Sequence, residues 1–184
     1  ASAVRVGLMG LGELGQDAAE VLLRIGFRVA GWSRSARSVP GVTCFSGAEG
    51  LHPFLAATDI LVALIPLTRE THGILNMALF RGLARDGVLG APVLINAGRG
   101  GLQVEADILA ALNDGTLGAA TLDVFETEPL PKDSGLWSHP NVTITPHNAA
   151  DSSPDALTDD VVAQIRAFEA GAALQNVVSR ERGD

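Results

Sequence analysis

Three short stretches of this chain carry an arginine, a carboxylate and an imidazole: Asn96-Ala97-Gly98-Arg99-Gly100, Asp123-Val124-Phe125-Glu126-Thr127-Glu128-Pro129-Leu130-Pro131 and Thr145-Pro146-His147-Asn148-Ala149. An arginine grips a carboxylate or carbonyl oxygen through a fork of hydrogen bonds, and a histidine donates a proton to an oxygen as hydride reaches the neighbouring carbon. Arg99 and His147 are the candidates for those tasks, with Glu128 as a group that holds the histidine ring. No His, Cys and carboxylate spacing resembles a metal site, and hydride transfer needs none.

Hydride chemistry requires a carrier, and Gly10-Leu11-Gly12-Glu13-Leu14-Gly15 is a G-x-G-x-x-G set between a strand-like run and a helix start. The first glycine permits a tight turn, the second lets a pyrophosphate approach the backbone, and the third lets helix and strand pack closely. The helix N-terminus then offers amides and a dipole to the phosphates. Where NAD enzymes place an acid for the adenosine ribose, the chain reads Gly31-Trp32-Ser33-Arg34-Ser35. A 2′-phosphate would meet an arginine and two hydroxyls there. Opposite charges about 4 Å apart attract by about 4 kcal/mol at an effective dielectric near 20, whereas a carboxylate would repel. The pattern favours NADP over NAD.

The elements that must position these groups follow from hydrophobic spacing. Strands are expected at Val4–Met9, Arg28–Trp32, Ile60–Ile65, Pro92–Ile95, Gly118–Leu122 and Val142–Thr145. Helices are expected at Glu13–Ile25, with Leu14, Ala18, Val21, Leu22 and Ile25 as its apolar positions, and at Phe54–Ala57, Met77–Leu83 and Ala106–Leu112. Near-continuous apolar strands alternating with helices specify an α/β protein, a Rossmann-type doubly wound parallel sheet with helices on both faces. The three chemical stretches follow or end strands, which in such a sheet brings them to the crevice beside the nicotinamide. Pro129, Pro131 and Pro140 exclude regular structure from Thr127–Pro140. Ser153-Pro154-Asp155 starts a final helix whose stripe is Leu157, Val161, Ile165 and Phe168, followed by a polar tail from Arg180. Residues 1–150 therefore read as a dinucleotide-binding domain, and 151–184 as a C-terminal helix and tail.

Composition narrows the class further. With 47% hydrophobic and 18% charged residues the chain can bury a core, and its net charge of −8 disfavours nucleic acid and anionic membranes as partners. The one cysteine, Cys44, forms no internal disulfide and is expected to be a buried thiol. No apolar run reaches the roughly 18 residues of a membrane span, so a cytoplasmic location is expected. His52 and His139, each before a proline, read as turn residues, and His72 as solvated.

The glycine motif and the three stretches, in this order and at this spacing, resemble the D-isomer-specific 2-hydroxyacid dehydrogenases over essentially the whole chain. The resemblance implies that Arg99 binds substrate, Glu128 (rather than Glu126) partners the histidine, His147 is the acid/base and Asp123 contacts the nicotinamide side. It also implies that Leu64-Ile65-Pro66-Leu67-Thr68, with Thr71, forms the loop passing the cofactor, joined there by Asn96, Ala97 and Gly98. Trp32–Ser35, Val104-Glu105 and Arg180–Gly183 are similar to the glyoxylate/hydroxypyruvate reductase branch. Family members carry a substrate domain before the glycine-rich strand, and this chain starts just ahead of that strand; the implied behaviour is cofactor binding with little turnover. A homodimer built through the cofactor domain, using the arm Thr127–Pro140, is likewise implied. Two alternatives stand beside this reading: a reductase for another 2-oxo acid, and a nucleotide-sensing interaction module on the same fold.

Overall fold

A computed structural model of the chain describes residues 1–150, 153–175 and 177. The elements are β1 (Arg5–Met9), α1 (Glu13–Ile25), β2 (Arg28–Ser33), β3 (Thr43–Ser46), α2 (Gly47–Ala56), β4 (Ile60–Ala63), α3 (Met77–Arg81), β5 (Val93–Asn96), α4 (Glu105–Asn113), β6 (Ala119–Leu122), β7 (Val142–Ile144) and α5 (Pro154–Glu169). The strands form one parallel sheet in the order β3-β2-β1-β4-β5-β6-β7. Chain order reverses between β1 and β4, which opens a crevice at the C-terminal ends of those strands.

Both faces of the sheet are covered, as the apolar strands require. Val6, Leu8 and Val29 pack with Ala18, Ala19 and Leu22 of α1 in one cluster. Met9, Leu61, Leu94 and Leu122 belong to the opposite core with Phe54 of α2 and Ile108 of α4. Each fully buried side chain of this size contributes about 1.5–3 kcal/mol.

The structure corrects several local expectations. In α1, Leu14, Val21 and Ile25 are exposed. The helix turns Gly15 and Ala19 to the sheet instead, because small residues let it approach β1 closely. Gly26, in the left-handed conformation at φ 97, ends the helix where expected. The run around Cys44 is an edge strand, β3, and Cys44 is only half-buried, its Sγ 3.6 Å from the Val42 carbonyl. Helix α2 extends N-terminally to Gly47, well beyond the expected Phe54–Ala57. The proline-rich stretch contains one 3-10 turn, Gly135–Trp137. Strand β4 ends at Ala63, so Leu64 and Ile65 already belong to the following loop.

At the N-terminal end of the sheet Asp59, 3% exposed, receives the Arg5 backbone N–H at 2.8 Å and its guanidinium at 2.6 and 3.1 Å. Burial pushes the Asp59 carboxyl up, but the Arg5 hydrogen bonds outweigh it and hold the group below its usual range.

Ala1–His147 form one compact unit, and the described residues from Asn148 onward belong to a second. In the second unit, Ser153 Oγ caps α5 through the Ala156 N–H and Pro154 occupies the first turn. Leu157, Val161, Ile165 and Phe168 are exposed on this helix. The Arg180–Gly183 motif and the polar tail lie outside the described residues. Among the described residues no helix is long and apolar enough to cross a membrane.

Candidate functional site

The glycine loop follows β1 at the C-terminal edge of the sheet, and its three glycines differ in what their backbones require. Gly10 has φ 121, and a Cβ there would press on the Leu64 carbonyl; its N–H donates to the Trp32 carbonyl at 2.8 Å. A Cβ on Gly15 would overlap the Gly10 carbonyl, so only glycine allows this helix–strand approach. Gly12 differs from both: nothing lies within 4 Å of where its Cβ would be. It caps α1 with no side-chain hydrogen bond, while the first N–H groups of a helix have no partner within the helix. Open backbone at a helix N-terminus is the cradle a pyrophosphate requires. Glu13 and Leu14 are exposed at its rim.

At the adenosine end, Arg34 and Ser35 are exposed just beyond β2. Ser33 Oγ donates to the Ser35 carbonyl at 2.8 Å, which curls this turn and leaves the hydroxyl oxygen as an acceptor. Trp32 is core rather than ligand surface. Its indole N–H donates to the Gly47 carbonyl at 2.9 Å and fixes α2 against the end of β2.

Across the crevice, the Leu64 N–H donates to the Met9 carbonyl at 2.8 Å, joining the cofactor-loop candidates Leu64, Ile65 and Pro66 to the glycine turn. Thr71 Oγ1 donates to the Pro66 carbonyl at 2.7 Å and accepts from the Thr68 N–H at the same distance, so the loop is held by its own hydroxyls. Glu70 lies below the usual carboxylate range, first through its own backbone N–H, then through the Thr68 hydroxyl, with the Arg69 and Arg34 cations adding to the effect. Asn96 is fully buried: its Oδ1 accepts the Gly98 N–H at 3.1 Å, and its Nδ2 donates to the Arg99 carbonyl at 3.2 Å. Its side chain therefore shapes the Ala97-Gly98-Arg99 turn rather than facing a ligand.

Asp123, Glu128 and His147 meet in one cleft of about 650 Å³, walled also by Phe125, Leu130, Trp137 and Thr145. His147 Nδ1 lies 2.9 Å from Glu128 Oε2, and Glu128 Oε1 accepts the Phe125 N–H at 3.0 Å. The His147 hydrogen bond, followed by that of Phe125, holds the Glu128 carboxyl below its usual range against burial and nearby Asp123. Thr145 Oγ1 donates to Asp123 Oδ1 at 2.5 Å, tying the end of β7 to the end of β6. His147 has φ 55, a left-handed backbone uncommon for a residue with a side chain and one that concentrates at functional sites. With Nδ1 engaged by Glu128, Nε2 is the ring nitrogen outside that pair.

Arg99 is not among the walls of this cleft. It follows the neighbouring strand, where the Asp123 N–H donates to the Asn96 carbonyl at 3.0 Å. Its guanidinium is exposed, and Nη1 donates to the Gly98 carbonyl at 2.7 Å. Trp137 is a wall that the sequence reading missed, half-exposed with its indole N–H on the Pro131 carbonyl at 2.9 Å. Trp137 carries no signal in the sequence, since the prolines mark the arm as irregular and the family resemblance assigns the arm to a dimer contact. Thr145 stood within a recognised motif without a role, since its partner is 22 residues away.

Residues 1–149 match the family model described as D-isomer specific 2-hydroxyacid dehydrogenase, NAD binding domain. A glyoxylate/hydroxypyruvate reductase A of Yersinia enterocolitica is 46% identical over 178 residues, which are 97% of this chain and 55% of that protein. An NADPH-dependent glyoxylate/hydroxypyruvate reductase from Sinorhizobium meliloti, solved with NADP and sulfate, superposes with a TM-score of 0.96 at 55% identity, covering 100% of this chain and 58% of that one. A probable 2-hydroxyacid dehydrogenase from Rhizobium etli, solved with NADP, HEPES and L(+)-tartaric acid, gives 0.95 at 55% identity with the same coverage. The chain thus spans about half the length of the curated relatives it matches. With the family model matched over most of its length, the glycine cradle in place and the His147–Glu128 pair formed, the chain belongs to the D-isomer-specific 2-hydroxyacid dehydrogenases.

Proposed function

We propose that the protein containing this chain reduces a small 2-oxo acid, glyoxylate or hydroxypyruvate, to the 2-hydroxy acid with NADPH. The His147–Glu128 pair at 2.9 Å carries the reading, supported by the relatives' names and by the NADP in their structures. Bound at the crevice, the nicotinamide supplies the hydride. Arg99 binds the substrate carboxylate or carbonyl in a fork of hydrogen bonds. His147 gives its Nε2 proton to the carbonyl oxygen as the C=O π pair moves onto it, leaving a neutral imidazole, and Glu128 keeps the ring oriented and balances its charge before the transfer. Gly10, Gly12, Glu13, Leu14 and Gly15 line the pyrophosphate site, Ser33, Arg34 and Ser35 receive the 2′-phosphate, and Leu64–Pro66, Thr71, Ala97, Gly98 and Asp123 flank the nicotinamide.

Residues 1–150 serve as the dinucleotide domain, with 151–184 returning to a substrate domain that completes the pocket. The working unit is a cytoplasmic homodimer built through the cofactor domain. The exposed apolar residues Val21 and Ile25 of α1 support such an interface, to which the Thr127–Pro140 arm would contribute. Light scattering of the full-length protein showing a monomer at high concentration would refute it.

Parallel calorimetric titrations of this chain with NADPH and NADH test the cofactor assignment. NADPH is expected to bind more tightly. Arg34→Ala should weaken NADPH by about 10- to 100-fold, the equivalent of one charge-assisted contact, and leave NADH nearly unchanged. Equal affinities in the unmodified chain would reject the 2′-phosphate site. Assays of full-length protein with glyoxylate and hydroxypyruvate test the reaction.

A further inference from the structure

The Arg99 turn and the Glu128 segment grip each other through side chains that lie outside the glycine, arginine, carboxylate and histidine motifs. Gln103 is 1% exposed, and a buried amide is sustained only when its polar atoms are paired. Its Oε1 accepts from Asn96 Nδ2 at 2.8 Å, while its Nε2 donates to the Val124 carbonyl at 3.0 Å and to Glu105 Oε1 at 3.4 Å. The same Glu105 oxygen accepts the Glu126 backbone N–H at 3.1 Å. Between these two anchors Gly100 lies so close to the Phe125 carbonyl that a Cβ would overlap it. Val124, Phe125 and Glu126 are therefore held by residues 100–105 on one side, and the Phe125 N–H is held by the Glu128 carboxylate on the other.

We propose that Gln103 and Glu105 are positioning residues that lock the 124–126 backbone to the Arg99 turn, fixing Glu128, and through it His147, relative to Arg99. This rests on the reading of Arg99 and His147 as the substrate-binding and proton-donating pair. A substrate anchored by one and protonated by the other reacts only when both stand at one geometry, and a displacement of about 1 Å costs on the order of 10²-fold in rate. Glu128 sits at the start of the proline-rich arm beyond the end of β6, where no ladder hydrogen bonds fix its place. The tie to β5 through Asn96 and to α4 through Glu105 transfers the rigidity of regular elements to that loop.

The test uses full-length protein carrying Gln103→Leu, Glu105→Ala or Glu105→Gln. NADPH affinity, kcat, KM and amide hydrogen exchange at Glu126 are measured for each. Gln103→Leu and Glu105→Ala should keep NADPH affinity within about twofold, lower kcat by about 10-fold or more and accelerate exchange at Glu126. Glu105→Gln keeps an oxygen acceptor without the charge, and should recover most of kcat. The proposal is overturned if Glu105→Ala leaves kcat and Glu126 exchange as in the unmodified protein, or if Glu105→Gln is no better than Glu105→Ala. Glu105 is only half-buried, so its two variants decide the matter even if Gln103→Leu does not fold. Should the unmodified protein bind NADPH yet turn over no 2-oxo acid, the functional reading fails. Exchange at Glu126 then judges the tie by itself: faster exchange in Glu105→Ala upholds it, and unchanged exchange rejects it.

Discussion

Glu128 binds His147 through one carboxylate oxygen and the backbone of Phe125 through the other, at 2.9 and 3.0 Å. The side chain that orients the imidazole is thus itself oriented by the chain that precedes it. Glu128→Gln preserves the shape but replaces a charged acceptor with a neutral one. We expect kcat in the full-length protein to fall by about 10-fold or more with NADPH affinity within about twofold, as steady-state kinetics beside a cofactor titration will show.

The same pair fixes the direction of a pH effect. The Glu128 carboxyl is held below its usual range, first by His147 and then by Phe125. A carboxyl depressed on folding contributes fully above its unfolded value, about 4.3, and that contribution is lost as pH falls through the lower folded value. Any acid limb of the rate profile due to Glu128 should therefore lie below pH about 4.3 and vanish in Glu128→Gln. An acid limb from Glu128 at a higher pH would contradict the observed pairing.

Two glycines of one motif should fail in different ways. Gly12→Ala meets no atom within 4 Å and adopts φ −74 without strain, so its thermal midpoint should hold while NADPH affinity drops by about 10-fold or more. Gly15→Ala collides with the Gly10 carbonyl and should lower the midpoint itself. Thermal unfolding and calorimetry on the same samples separate the two.

Away from the crevice, Arg5 neutralises buried Asp59. Arg5→Met would leave a buried carboxylate without its cation, and urea unfolding should show a loss of about 3–5 kcal/mol. The Asp59 carboxyl is depressed in the folded chain, so the pair's contribution is present above the usual aspartate value, about 3.9, and disappears as pH falls through the folded value.

Periodicity and glycine placement made much of this legible from sequence. Helix α1 runs over Glu13–Ile25 as read, because a glycine turn precedes it and Gly26 supplies the left-handed end. Strand β3 escaped notice since four residues at a sheet edge, Thr43 to Ser46, show neither clean alternation nor a full apolar run. Helix α2 was shortened because Gly47, Gly50 and Pro53 disfavour helix locally, whereas Phe54 and Leu55 buried in the core hold it in place. The His147–Glu128 pair was visible because both lie in motifs. The roles of Gln103 and Glu105 were not, because their partners Val124 and Glu126 sit 21 residues away and only the folded sheet joins them.

His147→Gln in the full-length protein decides whether His147 protonates a 2-oxo acid as NADPH delivers hydride. Glyoxylate-dependent NADPH oxidation would be followed in the unmodified protein and the variant, beside NADPH titrations of both. A proton-donating His147 requires turnover in the former and a loss of about 10²-fold or more in the latter at similar NADPH affinity. An unmodified protein that binds NADPH without turning over 2-oxo acids, or a variant that keeps its full rate, would contradict it.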